Sequence, residues 1–185
     1  MFQRILVAVD GSPTANRGLN LALALAQEHD ATLYVLHVVD DIVTMQGVHG
    51  VAYLPAEYVE SVLESLRAAG RKVLARAEKV AQQRGQRIQA LLIETVGQSV
   101  AHAVLAQARK LHAELIVLGT HGRRGLARLV MGSDSEAIVR EARVPVLLVR
   151  SPVTKHASHR AERRAKTGRP TTRPRKTVQA QSAIV

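Results

Sequence analysis

The chain has 185 residues, of which 46% are hydrophobic, and this is the composition of a globular domain with an ordinary core. It contains no cysteine, so disulfides, zinc–thiolate sites and cysteine nucleophiles are excluded. The formal net charge of +11 is unevenly distributed, because residues 151–185 hold nine Lys or Arg residues against one acidic residue, Glu162.

The first apolar segment runs from Phe2 to Val9 and predicts a central strand covered on both faces. It has one basic residue, Arg4, and lacks the small-residue cleavage site of a secretion signal, so we expect a cytoplasmic protein. No apolar run approaches the length of a membrane span. After a turn, Ser12 is a natural N-cap with Pro13 at the first helical position.

Helical and strand periodicities then alternate along the rest of the chain. The first helix ends at His29 and Asp30, and residues 40–55 show little periodicity and predict a loop. Gly70 weakens the middle of a long amphipathic helix, for which Gly85 is a natural C′ residue. The remaining predicted elements are strands at 31–39, 87–96, 114–118 and 145–149 and helices at 56–84, 97–111 and 133–143.

Five strands alternating with four helices predict an α/β fold, a single-domain open parallel five-stranded sheet with helices on both faces, over residues 1–150. Pro145 opens the last strand and places it at an edge. Residues 151–185 form a basic C-terminal tail that is too polar to bury a core, so we expect it to be disordered. The tail either only aids solubility or makes non-specific, salt-sensitive contact with nucleic acid or another polyanion.

A glycine-rich loop follows the fourth predicted strand and leads into a helix, over residues 118–134. Glycines let a backbone approach an anion closely, and the N-terminus of a helix offers free N–H groups and a favourable dipole. The loop also carries Arg123, Arg124 and Arg128. This arrangement predicts a phosphate cradle, although its spacing matches neither the Walker A motif nor the Gly-x-Gly-x-x-Gly fingerprint.

The spacing Gly119-x2-Gly122-x9-Gly132-Ser133 resembles the signature of the nucleotide-binding branch of the universal stress protein family. The resemblance extends over residues 1–150 and implies a Rossmann-like sheet with strand order 3-2-1-4-5. Strands 1 and 4 are then neighbours whose connections leave in opposite directions. Open α/β sheets bind their ligands at such a switch point, outside the carboxyl ends of the strands.

The resemblance also implies ATP or a related adenine nucleotide as the ligand, with Mg²⁺ as an optional companion. Phosphate contacts would come from the glycine motif, and nucleoside contacts from residues at the ends of strands 1 and 2. The implied set of nucleotide-binding residues is Asp10, Val38, Leu118, Gly119, His121, Gly122, Gly132 and Ser133.

Several of these residues have simpler interpretations. Asp10 could form only a turn or a helix cap, and Ser133 could be an N-cap as well as a phosphate contact. His121 could contact phosphate or merely shape the loop. Asp134 could accept a cation accompanying the phosphates or point away from them, and we expect the second. His37 is expected to be a hydrogen-bonded histidine of the core or its rim rather than a catalytic one.

No nucleophile elbow, metal-ligand histidine spacing or catalytic acid stands beside the cradle, so the sequence favours a nucleotide-binding regulatory or stress-response module over an enzyme. The alternatives are a slow ATPase or nucleotidyl-transfer enzyme at the same site, and an interaction protein with a vestigial site. The resemblance further implies a homodimer in which the last strand, Val146, Leu147, Leu148 and Val149, pairs with its two-fold mate.

Overall fold

The computed structural model describes residues 2–40, 55–95, 97–120 and 132–150. Strands and helices alternate through these ranges, as the hydrophobic periodicity predicts. In chain order the elements are β1 (Arg4–Ala8), α1 (Pro13–His29), β2 (Thr32–Asp40), α2 (Ala56–Gln82), β3 (Ile88–Thr95), α3 (Val100–Lys110), β4 (Leu115–Gly119), α4 (Ser133–Glu141) and β5 (Val146–Val149).

The five strands form one parallel sheet in the order β3-β2-β1-β4-β5. Val7 of β1 lies between Val35 of β2 and Val117 of β4, and all three side chains are fully buried. This confirms the predicted fold class and strand order, and it makes β5 an edge strand. Each connection between consecutive strands contains a helix. The helices α1 and α2 cover one face of the sheet, and α3 and α4 cover the other.

Successive side chains of each strand enter two separate hydrophobic cores, since they point to opposite faces of the sheet. Ile5 and Val7 join the core beneath α1 and α2, whereas Leu6 joins the core beneath α3 and α4. The predicted apolar stripe of α1, which includes Leu19 and Leu23, is buried in the first core. Both faces of the central strands are therefore covered, which explains their continuous apolar sequence.

The helices begin and end at capping residues and at glycines with a positive φ. Ser12 is the N-cap of α1 as predicted, and its hydroxyl accepts a hydrogen bond from the N–H of Ala15 at 3.2 Å. The start predicted for α3 was three residues early, because Gly97 has a φ of +67° and Ser99 is the N-cap. The C-cap of α2 is Gln83, which makes Arg84 the C′ residue, so Gly85, with a φ of +69°, lies one position beyond the C′ role predicted for it.

The long helix α2 passes through Gly70 without a break, and the glycine is buried. It faces His37, which is only 6% exposed and whose Nδ1 lies 2.7 Å from the carbonyl oxygen of Val9. Since a carbonyl oxygen can only accept, the Nδ1–H of His37 is the donor. This confirms His37 as a buried, hydrogen-bonded core histidine, and it gives Gly70 a packing role beside it.

Candidate functional site

The carboxyl ends of β1 and β4 lie side by side in the middle of the sheet. The chain leaves β1 for α1 on one face, and the helix that follows β4 in the described residues, α4, lies on the other face. A crevice between oppositely directed connections is where open α/β sheets bind ligands. We call the end of the sheet that carries Asp10 and Gly119 the carboxyl edge.

Asp10 forms the turn that leads from β1 into α1. Its Oδ1 accepts a hydrogen bond from the N–H of Ser12 at 2.9 Å, and the intervening Gly11 has a φ of +83°, which favours glycine. The hydroxyls of Ser12 and Thr14 lie 3.1 Å apart. Asp10 thus has the turn-forming role that the sequence left open, and it is half-buried at the crevice. Its contact with a nucleoside stays a prediction.

Gly119, at the end of β4, lies directly against the first turn of α1. A Cβ at this position would be 2.9 Å from the backbone nitrogen of Ala15 and 3.0 Å from the carbonyl carbon and the Cβ of Thr14. Real Cβ atoms essentially never lie closer than 3.0 Å to such atoms. Glycine at 119 is therefore explained by the close approach of β4 and α1, and its predicted phosphate contact is an additional role that stays a prediction.

Gly132, rather than Ser133, is the N-cap of α4. Its φ of −62° and ψ of 145° are ordinary extended values, and it makes no side-chain cap. The interpretation of Ser133 as an N-cap was wrong, because Ser133 is the first residue with helical geometry. Ser133 and Asp134 are both exposed, and Asp134 in the first turn is favoured by the helix dipole.

Two hydroxyl residues that the sequence analysis did not single out hold this helix start in place. Buried Thr120 accepts a hydrogen bond from the N–H of Gly132 at 3.0 Å and donates its own N–H to the carbonyl oxygen of Val149 at 2.9 Å. The Ser135 hydroxyl donates to the carbonyl oxygen of Gly119 at 3.0 Å. The position of Thr120 directly after Gly119, and of Ser135 two residues after Ser133 of the motif, was the only signal in the sequence.

The remaining predicted site residues fall into two groups. Val38 is half-buried near the end of β2, next to β1, whereas Leu118 is buried in the core beneath α3 and α4, so only its backbone borders the crevice. His121 and Gly122, together with the three loop arginines, lie outside the described residues. Their predicted contacts stay predictions.

The resolved shifts in pKa belong to Glu64 and Arg67 of α2, to Glu94 of β3 and to Glu114, just before β4. The hydrogen bond that Arg67 donates to Glu94 lowers the pKa of that carboxyl, and the hydrogen bonds that Arg67 donates to Glu94 and Glu60 raise the pKa of Arg67 itself. Within the described ranges, no cluster of three or more His, Asp or Glu side chains could hold a metal ion. None of the helices in those ranges is long and apolar enough to cross a bilayer.

The fold and the crevice define an open parallel α/β domain with a switch point between β1 and β4. A family model described as the universal stress protein family matches residues 1–150. The universal stress protein YxiE of Bacillus subtilis (strain 168) is 34% identical over 151 residues, which cover 81% of this chain and 100% of that protein. The chain therefore belongs to the universal stress protein family, as its glycine motif indicates.

Solved structures agree with this assignment. A universal stress family protein from Burkholderia pseudomallei is 34% identical, with a TM-score of 0.62 and coverage of 80% of this chain and 95% of that one. The universal stress protein from Archaeoglobus fulgidus in complex with dAMP has the same fold at 22% identity, with a TM-score of 0.56 and coverage of 80% and 97%.

Proposed function

We propose that this chain binds an adenine nucleotide, ATP or a close relative, at the carboxyl edge between β1 and β4, as a nucleotide-dependent module of the stress response. The observation that carries the proposal is the uncapped N-terminus of α4 at the switch point. The first intrahelical bond runs from the N–H of Glu136 to the carbonyl oxygen of Gly132 at 2.9 Å. The N–H groups of Ser133, Asp134 and Ser135 therefore have no acceptor within the helix.

Two other helices, α1 and α3, have a serine as N-cap and differ from α4 at this point. Ser12 and Ser99 each accept a hydrogen bond from the third N–H beyond themselves, at 3.2 Å, at the starts of α1 and α3. Such a cap occupies a donor that an anion would otherwise use. At α4 the N-cap is glycine, which has no side chain to occupy one of these donors, so they can bind phosphate oxygens, and the helix dipole adds to the attraction.

The geometry around Gly132 supports the approach of a ligand. A Cβ built at this position would have, of the described atoms, only the carbonyl oxygen of Thr120 within 4 Å, at 3.7 Å. Neither the backbone conformation of Gly132 nor its described neighbours demand a glycine. A phosphate close to the backbone would demand one. The solved structure of the Archaeoglobus fulgidus relative is a complex with dAMP, which supports the proposal.

The test is Gly132→Val, which places a branched side chain over the N-terminus of α4. We expect the affinity for ATP to fall roughly 100-fold or more, since two hydrogen bonds to a charged group are worth at least ~3 kcal/mol. Isothermal titration of the full-length protein with ATP and with dAMP measures the loss. Titrations with and without EDTA test whether Mg²⁺ accompanies the nucleotide.

The matched control is Gln82→Val, which adds the same side chain at an exposed helical position at the opposite edge of the sheet. Both variants should unfold cooperatively near the wild-type temperature, and only Gly132→Val should lose the nucleotide. A folded Gly132→Val protein with wild-type affinity for ATP and dAMP would rule out this site. Sustained product formation by the wild-type protein would favour the enzyme alternative instead.

We also propose that the chain forms a two-fold homodimer through β5. The carbonyl oxygens of Pro145 and Val149 point toward β4, where they accept from the N–H groups of Ile116 and Thr120 at 3.0 and 2.9 Å. Because backbone groups of a strand alternate in direction, those of Leu148 point to the open edge. Both Leu147 and Leu148 are half-buried, one against each core.

Proline substitutions in β5 distinguish the dimer contact from the fold. We expect Leu148→Pro to yield folded monomers, because proline on an edge strand is tolerated where the lost N–H faces outward. Leu147→Pro removes a similar leucine but breaks the ladder to β4, so it should lower the unfolding temperature far more. Light scattering at micromolar concentration checks both variants, and a monomeric wild-type protein would contradict the proposed dimer.

The boundary at residue 150 and the polyanion contact of the basic tail stay predictions, since residues 151–185 lie outside the described ranges.

A further inference from the structure

A cavity lies at the opposite end of the sheet from the proposed nucleotide site. It has a volume of about 360 Å³ and opens where α3 and α4 end, ahead of β4 and β5. Since these helices run antiparallel to the strands they precede, their C-termini lie at the amino ends of the strands. We call this cavity the amino-edge cleft. Its volume is within the range of small-molecule sites.

The floor of the amino-edge cleft is apolar. Leu105, Ala113, Ile116 and Val144 line it, and the first three of these side chains are at least nine-tenths buried. The floor therefore suits the aliphatic part of a ligand.

The rim of the cleft carries charges of both signs. Arg109 and Arg143 stand on it with Glu141, and all three side chains are exposed. None of the ion pairs between described residues involves any of the three. Two guanidinium groups can hold a carboxylate through paired N–H donors, while Glu141 and the negative ends of two helix dipoles favour a cation.

One class of ligand uses all of these features together. We propose that the amino-edge cleft binds a free aliphatic α-amino acid of about the size of leucine. Its carboxylate would meet Arg109 and Arg143, its ammonium group would meet Glu141 at the end of α4, and its side chain would lie over the apolar floor. A simple anion would use the arginines but would be repelled by Glu141 and the helix ends.

The site is independent of the nucleotide crevice, because it lies across the sheet from Gly119 and Gly132. Binding of an amino acid would give the protein a second small-molecule input. Its failure would leave the nucleotide proposal untouched, since the two sites share no residue.

A series of four ligands tests the chemistry of the site with the full-length protein. L-Leucine carries every recognised group, 4-methylpentanoate lacks the ammonium group, 3-methylbutylamine lacks the carboxylate, and glycine lacks the side chain. Methyl chemical shifts of Leu105, Ile116 and Val144 report occupancy of the floor. We expect leucine to shift these signals saturably and each of the other three ligands to bind at least about tenfold more weakly.

Substitutions on the rim test whether its charged side chains contact the ligand. Arg143→Gln and Glu141→Gln should each weaken leucine binding by about tenfold or more, because each removes one charge-assisted contact. The matched control is Arg140→Gln. Arg140 is an exposed residue of α4 that pairs with Glu136 at 2.6 Å and does not line the cleft. This substitution should leave leucine binding unchanged.

Three results would overturn the proposal. The first is an absence of methyl shifts at high leucine concentration, and the second is binding of 4-methylpentanoate or 3-methylbutylamine as tight as that of leucine. The third is an equal loss of affinity in Arg140→Gln, which would show that the attraction comes from the general surface charge.

Discussion

Gly119→Ala is expected to destabilise the protein by about 3 kcal/mol, because a single added methyl group would force β4 and α1 apart. The new Cβ would lie 2.9 Å from the backbone nitrogen of Ala15 and 3.0 Å from two atoms of Thr14. Two of these three atoms belong to the backbone of a packed helix, so no rotation of a side chain relieves the contact. Thermal and urea unfolding of the full-length protein measure the change in the free energy of unfolding.

Gly132→Ala is the matched control for this substitution. Its Cβ would be 3.7 Å from the carbonyl oxygen of Thr120, an ordinary contact, and its backbone angles suit any residue. The cost in stability should not exceed about 1 kcal/mol, which is the loss when alanine occupies an N-cap. Wild-type stability in Gly119→Ala would contradict the close approach of β4 and α1.

The same pair of variants separates two meanings of the glycine motif. If the proposed site is correct, Gly132→Ala weakens nucleotide binding in a protein of nearly normal stability. Gly119→Ala, in contrast, lowers stability whether or not nucleotide is present. The spacing of the motif does not distinguish the two glycines. Gly119 is explained by its contact with α1, whereas Gly132 is the N-cap of α4 and has no such close neighbour among the described atoms.

The order of the strands and helices was predictable because hydrophobic periodicity is a local property of the chain. The N-cap at Ser12 followed by Pro13 was predictable for the same reason, since both residues act on the backbone beside them. The strand order itself came from the resemblance to the universal stress proteins, and the sheet confirms it.

The details of the site depend on contacts between residues far apart in sequence, and these leave no periodic signal. Thr120 joins the start of α4 to the end of β5 through its backbone, and its position after Gly119 is the only sequence feature that points to that role. Gly132 and Ser133 are both common at N-caps, so their order alone did not show which one caps α4. Ser135 reaches back to Gly119, a contact between two different elements.

Gly70, in the middle of α2, is another residue whose role depends on a contact between distant parts of the chain. Helix propensity alone predicts a weak point here, because glycine costs roughly 0.5–1 kcal/mol relative to alanine in a helix. In the folded protein the missing side chain makes room for His37, whose ring is held by its hydrogen bond to the carbonyl oxygen of Val9. A substitution that improves helix propensity should therefore reduce stability at this position.

We expect Gly70→Ala to destabilise the protein by about 1–2 kcal/mol, because overpacking costs ~1–3 kcal/mol and the gain in helix propensity offsets part of it. The added Cβ would lie 2.6 Å from Cδ2 of His37 and 2.7 Å from Cδ1 of Leu92. Gly18→Ala in α1 is the matched control, since its Cβ would meet Val117 at an ordinary 3.7 Å.

Gly70→Ala should therefore lower the free energy of unfolding, whereas Gly18→Ala should leave it unchanged or raise it by up to about 1 kcal/mol. Urea unfolding under identical conditions compares them. The Leu92→Ala background offers a further check, because removing one of the two crowded side chains should reduce the cost of Gly70→Ala. Equal stabilisation by both substitutions would show that α2 can move away from His37 at no cost, and that Gly70 has no packing role.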